Sequence, residues 1–472
     1  MTVPRVVIVG GGISGLAAAF TLVEEAGLVG LQLDVTLLEA SQEAGGHART
    51  VSEDGFVVES GPNGFLDREP ETLALTASLG LNSRLVEARP DASRRFIVRG
   101  GRLRQVPDSL GTLLRSTALS PMGKLRLLFE PFAHAAPTGL DETVFEFASR
   151  RLGAEAAEML VDAAVAGISA GDSRSLSVQA QFPLMVEMER EHGSLIRALL
   201  VRRRRGLGPS RLLSLDSGLG TMTRVLVGRL GRNVRLGQPV HAIHRLGQGF
   251  RLAVGHGEAV EADHVLLAVS AGVAAGLVVQ LDPELSNGLG SIDYSGVAVL
   301  ALAFAVSALP APLAGYGYLV TQGENLATLG VVWESCLFPG RAPDGSVLMR
   351  VFMGGARRPD VLELDDDVLL TLARTELSHV MEIHTLPMRH WVFRWPKAIA
   401  QYTVGHLDRI SRIRERVSAQ PGLEVCGTSY DGVSFNQAIA SGRRNARAIV
   451  NRLCPEAFRE NSTAHPVVAP SA

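Results

Sequence analysis

Lysine is nearly missing from this chain. Of 472 residues only Lys124 and Lys397 are lysines, and the remaining basic residues counted with them are arginine. Chemistry that needs a catalytic amine is therefore confined to two places. Cysteine is scarce as well. Cys336, Cys426 and Cys454 lie far apart, and no two have metal or redox spacing. A disulfide scaffold is excluded, no metal site is expected, and a reducing, cytoplasmic compartment is the expectation. Net charge is close to absent, at -2. A nucleic-acid binder would carry a clear basic excess, so that class is set aside.

Long apolar runs are missing too. A membrane-spanning helix needs ~20 consecutive apolar residues. Residues 265–281 are interrupted by Ser270, Gly272, Gly276 and Gln280, and residues 297–309 stop at Pro310. Both are read as buried strand with packed helix. Near the start, glycines occupy the place where a secretory signal would carry its apolar segment.

Glycine, by contrast, is plentiful, and its placement carries the strongest signal. Residues 5–9 read as a buried strand. Gly10, Gly12 and Gly15 follow in Gly-x-Gly-x-x-Gly order, and an alanine-rich helix begins at once. Gly10 permits a tight turn, Gly12 lets a pyrophosphate approach the backbone, and Gly15 lets helix and strand close up. The helix start at Ile13 and Ser14 offers free N–H groups and a positive dipole end to phosphates. A second apolar strand, residues 35–38, leads into Glu39 and Ala40. Glu39 is placed for ribose hydroxyls, somewhat beyond the usual ~20 residues, because residues 24–32 lengthen the connection. Strand, glycines, helix, strand and acid in this order point to a bound dinucleotide.

Further on, Gly45-Gly46 and Gly61-Pro62-Asn63-Gly64 are turn clusters. Helical periodicity dominates from about Pro107 to the arginine quartet at residues 202–205. Strand patterns return near Val234, and a mixed region runs from Ser291 to about Gln401. A strand at residues 423–427 then leads into a final helix, residues 434–453. The expected organisation is a discontinuous nucleotide domain in three pieces (1–92, 207–295 and 406–456). A helical segment (93–206) and a substrate domain (296–405) interrupt it, and residues 457–472 are read as a disordered tail. The fold class is α/β, with a Rossmann-like nucleotide domain, a mixed-sheet substrate domain and an α-helical insertion.

This order of elements resembles the flavin-containing amine oxidase superfamily, and within it the oxygen-dependent protoporphyrinogen oxidases. The resemblance reaches to about Leu453. Its marks are Gly10 to Gly15, Glu59-Ser-Gly-Pro-Asn63, Arg95 to Leu103, Ala170 to Ser177, and Phe182 to Met185. The more discriminating marks are Gly315-Tyr-Gly-Tyr-Leu319, Gln401-Tyr-Thr-Val-Gly-His406 and Ser429 to Asn436.

The resemblance implies FAD. It places Gly46, His47 and Arg49 beside ribityl or phosphate groups. The superfamily often has arginines flanking this doublet, where this chain has Glu43 and His47. It runs Gly61, Pro62, Asn63 and Gly64 beneath the isoalloxazine ring. It sets Val240 at the adenine and Ala268 at a second nucleotide-side turn. Trp395 would pack at the flavin edge. Gly427, Val433, Ser434 and Phe435 would bring a helix start to the pyrimidine ring, where negative charge develops on reduction. Arg95 would pair with a propionate, a fork-to-fork match of guanidinium and carboxylate. Gly167, Tyr316, Gly317 and Leu319 would line a flat apolar slot, Tyr316 standing where the family often has phenylalanine.

The implied reaction is the six-electron oxidation of protoporphyrinogen IX to protoporphyrin IX, in three two-electron steps on one FAD. Oxygen is the acceptor and hydrogen peroxide the by-product. No acid–base pair or nucleophile is evident, in keeping with a reaction whose difficult chemistry belongs to the cofactor. The family's helical domain is peripherally membrane-associated, and the arginine quartet offers charge for anionic headgroups. A homodimer and hand-off of product to ferrochelatase are the further partnerships considered. Three rivals stay open: coproporphyrinogen III oxidation, amine oxidation, and a binding protein of the same fold without flavin catalysis. Amine oxidation is disfavoured by Val433, which stands where a second aromatic would come, and by the lack of a lysine in a matching segment.

Overall fold

The computed structural model describes residues 3–135, 139–206, 210–255 and 257–455. The proposed tail, 457–472, lies outside the described residues.

Five parallel strands make the nucleotide sheet, in the order Val234–Arg235, Asp34–Leu38, Arg5–Val9, His264–Leu267, Leu423–Val425. Three distant stretches of chain therefore meet in one sheet. The N-terminal helix (Ile13–Leu28) and the C-terminal helix (Phe435–Leu453) pack together against it. Small residues permit the close crossing. A β-carbon added at Gly442 would collide with the Ser14 carbonyl oxygen. Leu16, Ile439, Ile449 and Leu266 fill the layer between helices and sheet. Each such fully buried side chain contributes about 1.5–3 kcal/mol.

A second sheet has seven strands, in the order Arg389–Ala400, Tyr294–Ala305, Ser346–Gly354, Thr328–Val332, Gly317–Val320, Arg95–Arg99, Arg102–Gln105. Residues 95–105 were read as the head of the helical segment, and the structure corrects this. They form a hairpin whose first strand pairs in parallel with Gly317–Val320. Its turn is Gly100-Gly101, both at positive φ, a conformation that suits a tight hairpin. The strand Tyr294–Ala305 is buried on both faces. Leu300, Leu302 and Phe304 meet the helix Asp366–Met381 on one side, and Val297 and Val299 meet Ala166 and Ala170 on the other.

The helical segment between the sheets has a small apolar core and a buried ionic staple. Arg151 and Glu130 are fully buried and paired, and Glu130 also accepts from the Ser194 hydroxyl and the Leu195 N–H. These bonds hold the Glu130 carboxyl below its ordinary pKa against the opposing effect of burial. Helix Asp162–Ser169 turns toward the seven-stranded sheet. Among the described residues no helix is long and apolar enough to cross a membrane.

Candidate active site

The turn after the first strand is shaped by steric necessity. Gly10 has φ +109°, and a β-carbon there would lie 2.8–2.9 Å from Val269 and the Ala268 carbonyl oxygen. A β-carbon at Gly15 would strike the Gly10 carbonyl oxygen. Gly12 alone of the three opens onto free space, with nothing within 4 Å of an added β-carbon. It is also the N-cap of the N-terminal helix, and no side chain caps that helix. The first-turn N–H groups of Ile13, Ser14 and Gly15 have no acceptor within the helix.

Glu39 stands at the edge of the same turn. Its carboxylate accepts from the Gly11 N–H (2.6 Å) and the Ser41 N–H (2.8 Å), which orients it and leaves lone pairs for hydroxyls. Ala40 beside it is exposed. The Gln238 N–H donates to the Glu39 carbonyl (2.8 Å), so the strand that begins at Val240 lies alongside. On the other side the Gly45 N–H donates to Gly11 (2.7 Å), and Gly46 abuts the Gly12 Cα. Arg49 reaches the Glu43 carbonyl at 3.3 Å, yet its buried Nε has no protein partner. A buried guanidinium donor left over, beside an uncapped helix and an open glycine, fits an anionic cofactor.

The cleft continues to a second end. A β-carbon at Gly61 would collide with the His47 carbonyl oxygen, so 47 and 61 are locked together. Trp395 donates from its indole N–H to the Ser60 carbonyl (2.8 Å) and meets the His47 ring edge-on, with centroids 4.6 Å apart. Crowding by protein and the Arg49 charge push the His47 pKa down, although the ring keeps access to the cleft. Gly427, at φ +116°, lies against Ser14, which brings the last strand's end to the first helix. Val433 is half-buried and Ser434 caps the C-terminal helix. The Ser434 and Gln437 side chains satisfy each other's N–H groups, leaving those of Phe435 and Asn436 as the open donors of this helix start. Two residues face elsewhere. The Phe435 ring stacks on Phe65 in the core, and Gly64 is pressed against the Leu213 carbonyl oxygen.

The slot residues also converge. Gly317, at φ +141°, pairs with Arg95 across the parallel strands and leaves no room for a side chain beside the Val331 carbonyl. Leu319 lies on the same strand and touches Gly167 of helix Asp162–Ser169. Arg95 is exposed, and its guanidinium lies over the Tyr316 ring, 5.5 Å from the centroid. Its neighbours Arg94 and Arg99 each face an acid, Asp91 at 3.0 Å and Glu155 at 3.1 Å. Burial, and after it the Glu334 carboxylate, push the Tyr316 phenol up, while Arg350, Arg95 and Asn63 pull the other way.

Sequence reasoning missed the support beneath this floor. Asn63 donates to Glu334 (3.0 Å), and Arg350 donates to the same carboxylate (2.6 Å) and to the carbonyls of Glu59 and Gly61 (3.1 and 2.6 Å). Both Glu334 and Arg350 are 1% exposed. A lone arginine inside the apolar run 347–353 was the available signal. A buried charge of that kind requires a partner.

The chain matches the family described as flavin containing amine oxidoreductase over residues 13–450. It is 31% identical over 454 residues to the coproporphyrinogen III oxidase of Bacillus subtilis (strain 168), covering 93% of this chain and 96% of that protein. It is 32% identical over 482 residues to the protoporphyrinogen oxidase of Homo sapiens, covering 94% and 98%. A crystal structure named "Putative protoporphyrinogen oxidase", from Exiguobacterium sp. 255-15, superposes with a TM-score of 0.83 at 30% identity, covering 95% and 99%. Similarity over nearly the whole length, on a fold that brings three distant stretches of chain into one parallel sheet, shows that the chain belongs to the flavin-containing amine oxidoreductase family and is an FAD-dependent oxidoreductase.

Proposed function

We propose that this enzyme oxidises protoporphyrinogen IX to protoporphyrin IX by six electrons, with oxygen as acceptor and hydrogen peroxide as by-product. The observation that carries this reading is Arg95. Among the described residues its guanidinium has no acid partner, and it lies over the Tyr316 ring. That arrangement suits a greasy substrate with a carboxylate at its edge. Two propionates ask less of one free guanidinium than four do. Coproporphyrinogen III is the second reading, favoured by the Bacillus relative.

FAD, when bound, supplies the two-electron acceptor. The chain's residues do the rest. Gly12, Ile13, Ser14 and Gly15 receive the pyrophosphate, with Gly10 shaping the turn. Glu39 takes the ribose, and Ala40, Val240 and Ala268 flank the nucleotide. Gly46, His47 and Arg49 hold the central part of the cofactor. Gly61, Pro62 and Asn63, with Gly64 behind them, would support the flavin ring. Trp395, Gly427, Val433, Ser434 and the Phe435 N–H would complete its binding place. Gly167, Tyr316, Gly317 and Leu319 line the macrocycle and exclude water, while Arg95 fixes its rotation.

We also propose peripheral contact with lipid. The helical segment exposes Leu114, Met122, Phe129 and Phe132, and the arginine quartet closes its last helix. A side-by-side assay with the two porphyrinogens, read by porphyrin fluorescence, tests the substrate. Faster turnover of coproporphyrinogen III would replace the first reading by the second, and no turnover of either would overturn both.

A further inference from the structure

The strand Arg389–Ala400 runs on into Gln401, Tyr402, Thr403, Val404, Gly405 and His406. Successive side chains of an extended segment point to opposite sides. Here one side meets the helix that carries Gly167, and the other meets the turn after the last strand.

Gln401 is buried against the end of helix Asp162–Ser169. Its amide donates to the carbonyls of Ser169 and Ile399, both at 3.0 Å. Ser169 is the last residue of the helix that carries Gly167. Tyr402 is buried on the other side. Its hydroxyl donates to the Thr428 carbonyl (2.7 Å) and accepts from the Gly432 N–H (2.7 Å). Those two residues flank the turn between the last strand and the C-terminal helix. A second phenol, Tyr294, meets Ser429 in the same turn at 2.6 Å and accepts from the Ala271 N–H at 2.8 Å.

The dipeptide is itself immobilised. Its backbone is tied to the helical segment by the Ser177 N–H, which donates to the Tyr402 carbonyl (2.8 Å), and by the Val404 N–H, which donates to Ser175 (3.1 Å). The Asp141 carboxylate bridges the Ser177 hydroxyl and the Gly405 N–H. His406 stacks face to face on the Tyr402 ring, with centroids 3.8 Å apart and planes 16° from parallel. Neither ring nitrogen of His406 has a protein partner. Its contribution is therefore the stack, which fixes the phenol's direction.

We propose that Gln401 and Tyr402 are positioning residues that set the separation between the slot wall and the turn at the pyrimidine end of the flavin. The inference rests on the reading that a macrocycle lies in that slot against the ring. Reactive atoms must be held at near-contact distance, and a displacement of about 1 Å costs on the order of 10²-fold in rate. A single dipeptide gripping both walls keeps them in register.

The test uses the flavin-loaded enzyme and two conservative variants. Tyr402→Phe keeps the ring and the stack but removes the hydroxyl. The bound flavin's midpoint potential and visible band should shift, and kcat should fall about tenfold with KM unchanged. Gln401→Leu releases the slot helix. KM for the porphyrinogen should rise while the flavin potential stays at the wild-type value. The double variant should lose less than the product of the two single losses, since both act on one distance. A Tyr402→Phe enzyme with wild-type potential, spectrum and kcat, and only a lower melting temperature, would overturn the proposal. So would a Gln401→Leu enzyme with unchanged KM. A wild-type protein that carries flavin but oxidises neither porphyrinogen would fail the substrate reading, and the Tyr402→Phe potential would still decide the flavin half of the inference.

Discussion

Acid should loosen the joint built on His406. Its imidazole is 1% exposed and without a hydrogen-bond partner, so the charged form is poorly tolerated. Burial is the main cause of its depressed pKa, about 4. Arg409 and Arg414 add to the depression, and Asp141 opposes it. The unfolded value is ~6.5. The folded pKa is the lower one, so the unfolded chain binds the proton more tightly. The stability this residue contributes is complete above pH 6.5 and is lost as pH falls toward 4. Between pH 8 and pH 5 these two values correspond to a loss of about 2 kcal/mol. His406→Phe keeps an aromatic face for Tyr402 and cannot take up the proton. Urea unfolding at pH 8, 6 and 5, followed by flavin release, should show the wild type losing about 2 kcal/mol more than the variant across that range. Parallel slopes for the two proteins would refute the argument. So would a histidine resonance, absent from the variant, that titrates near 6.5.

Three further outcomes are expected. Arg95→Ala should raise KM for the porphyrinogen by about ten- to a hundredfold, the worth of a charge-assisted bond, with flavin content unchanged. Unchanged kinetics would remove Arg95 from the carboxylate role. Gly12→Leu should abolish flavin retention, because the side chain enters the space in front of the helix; a fully yellow variant would contradict the pyrophosphate assignment. Glu130→Ala removes one of the two carboxylates on the buried Arg151, which keeps Glu189 at 3.2 Å and the Ala133 and Gly193 carbonyls, and should cost about 1.5–3 kcal/mol, seen as an early transition on heating.

The nucleotide half of this enzyme was legible because its residues carry backbone consequences. Gly10, Gly12, Gly15 and Glu39 each answer a local steric or electrostatic demand, and the structure brings them to one turn. The hairpin at residues 95–105 was misplaced for a different reason. Its pairing partner, Gly317–Val320, lies more than two hundred residues away, and no local pattern announces a parallel neighbour. Glu334 was invisible for the same cause. An isolated glutamate followed by Ser-Cys-Leu has no meaning until Asn63 and Arg350 arrive beside it. The role of Gln401 and Tyr402 was hidden although their motif was plain, because a motif does not state which two walls its side chains will hold.

The last strand of the nucleotide sheet, Leu423–Val425, is the outermost of five, and the helix after it seals the first one. On a ribosome, which delivers residues in order, this means that the cofactor's binding place stays incomplete until the chain has emerged as far as Leu453. Truncation late in the gene would not trim a peripheral feature. It would release a chain in which every N-terminal signature is intact and the pigment has nowhere to stay.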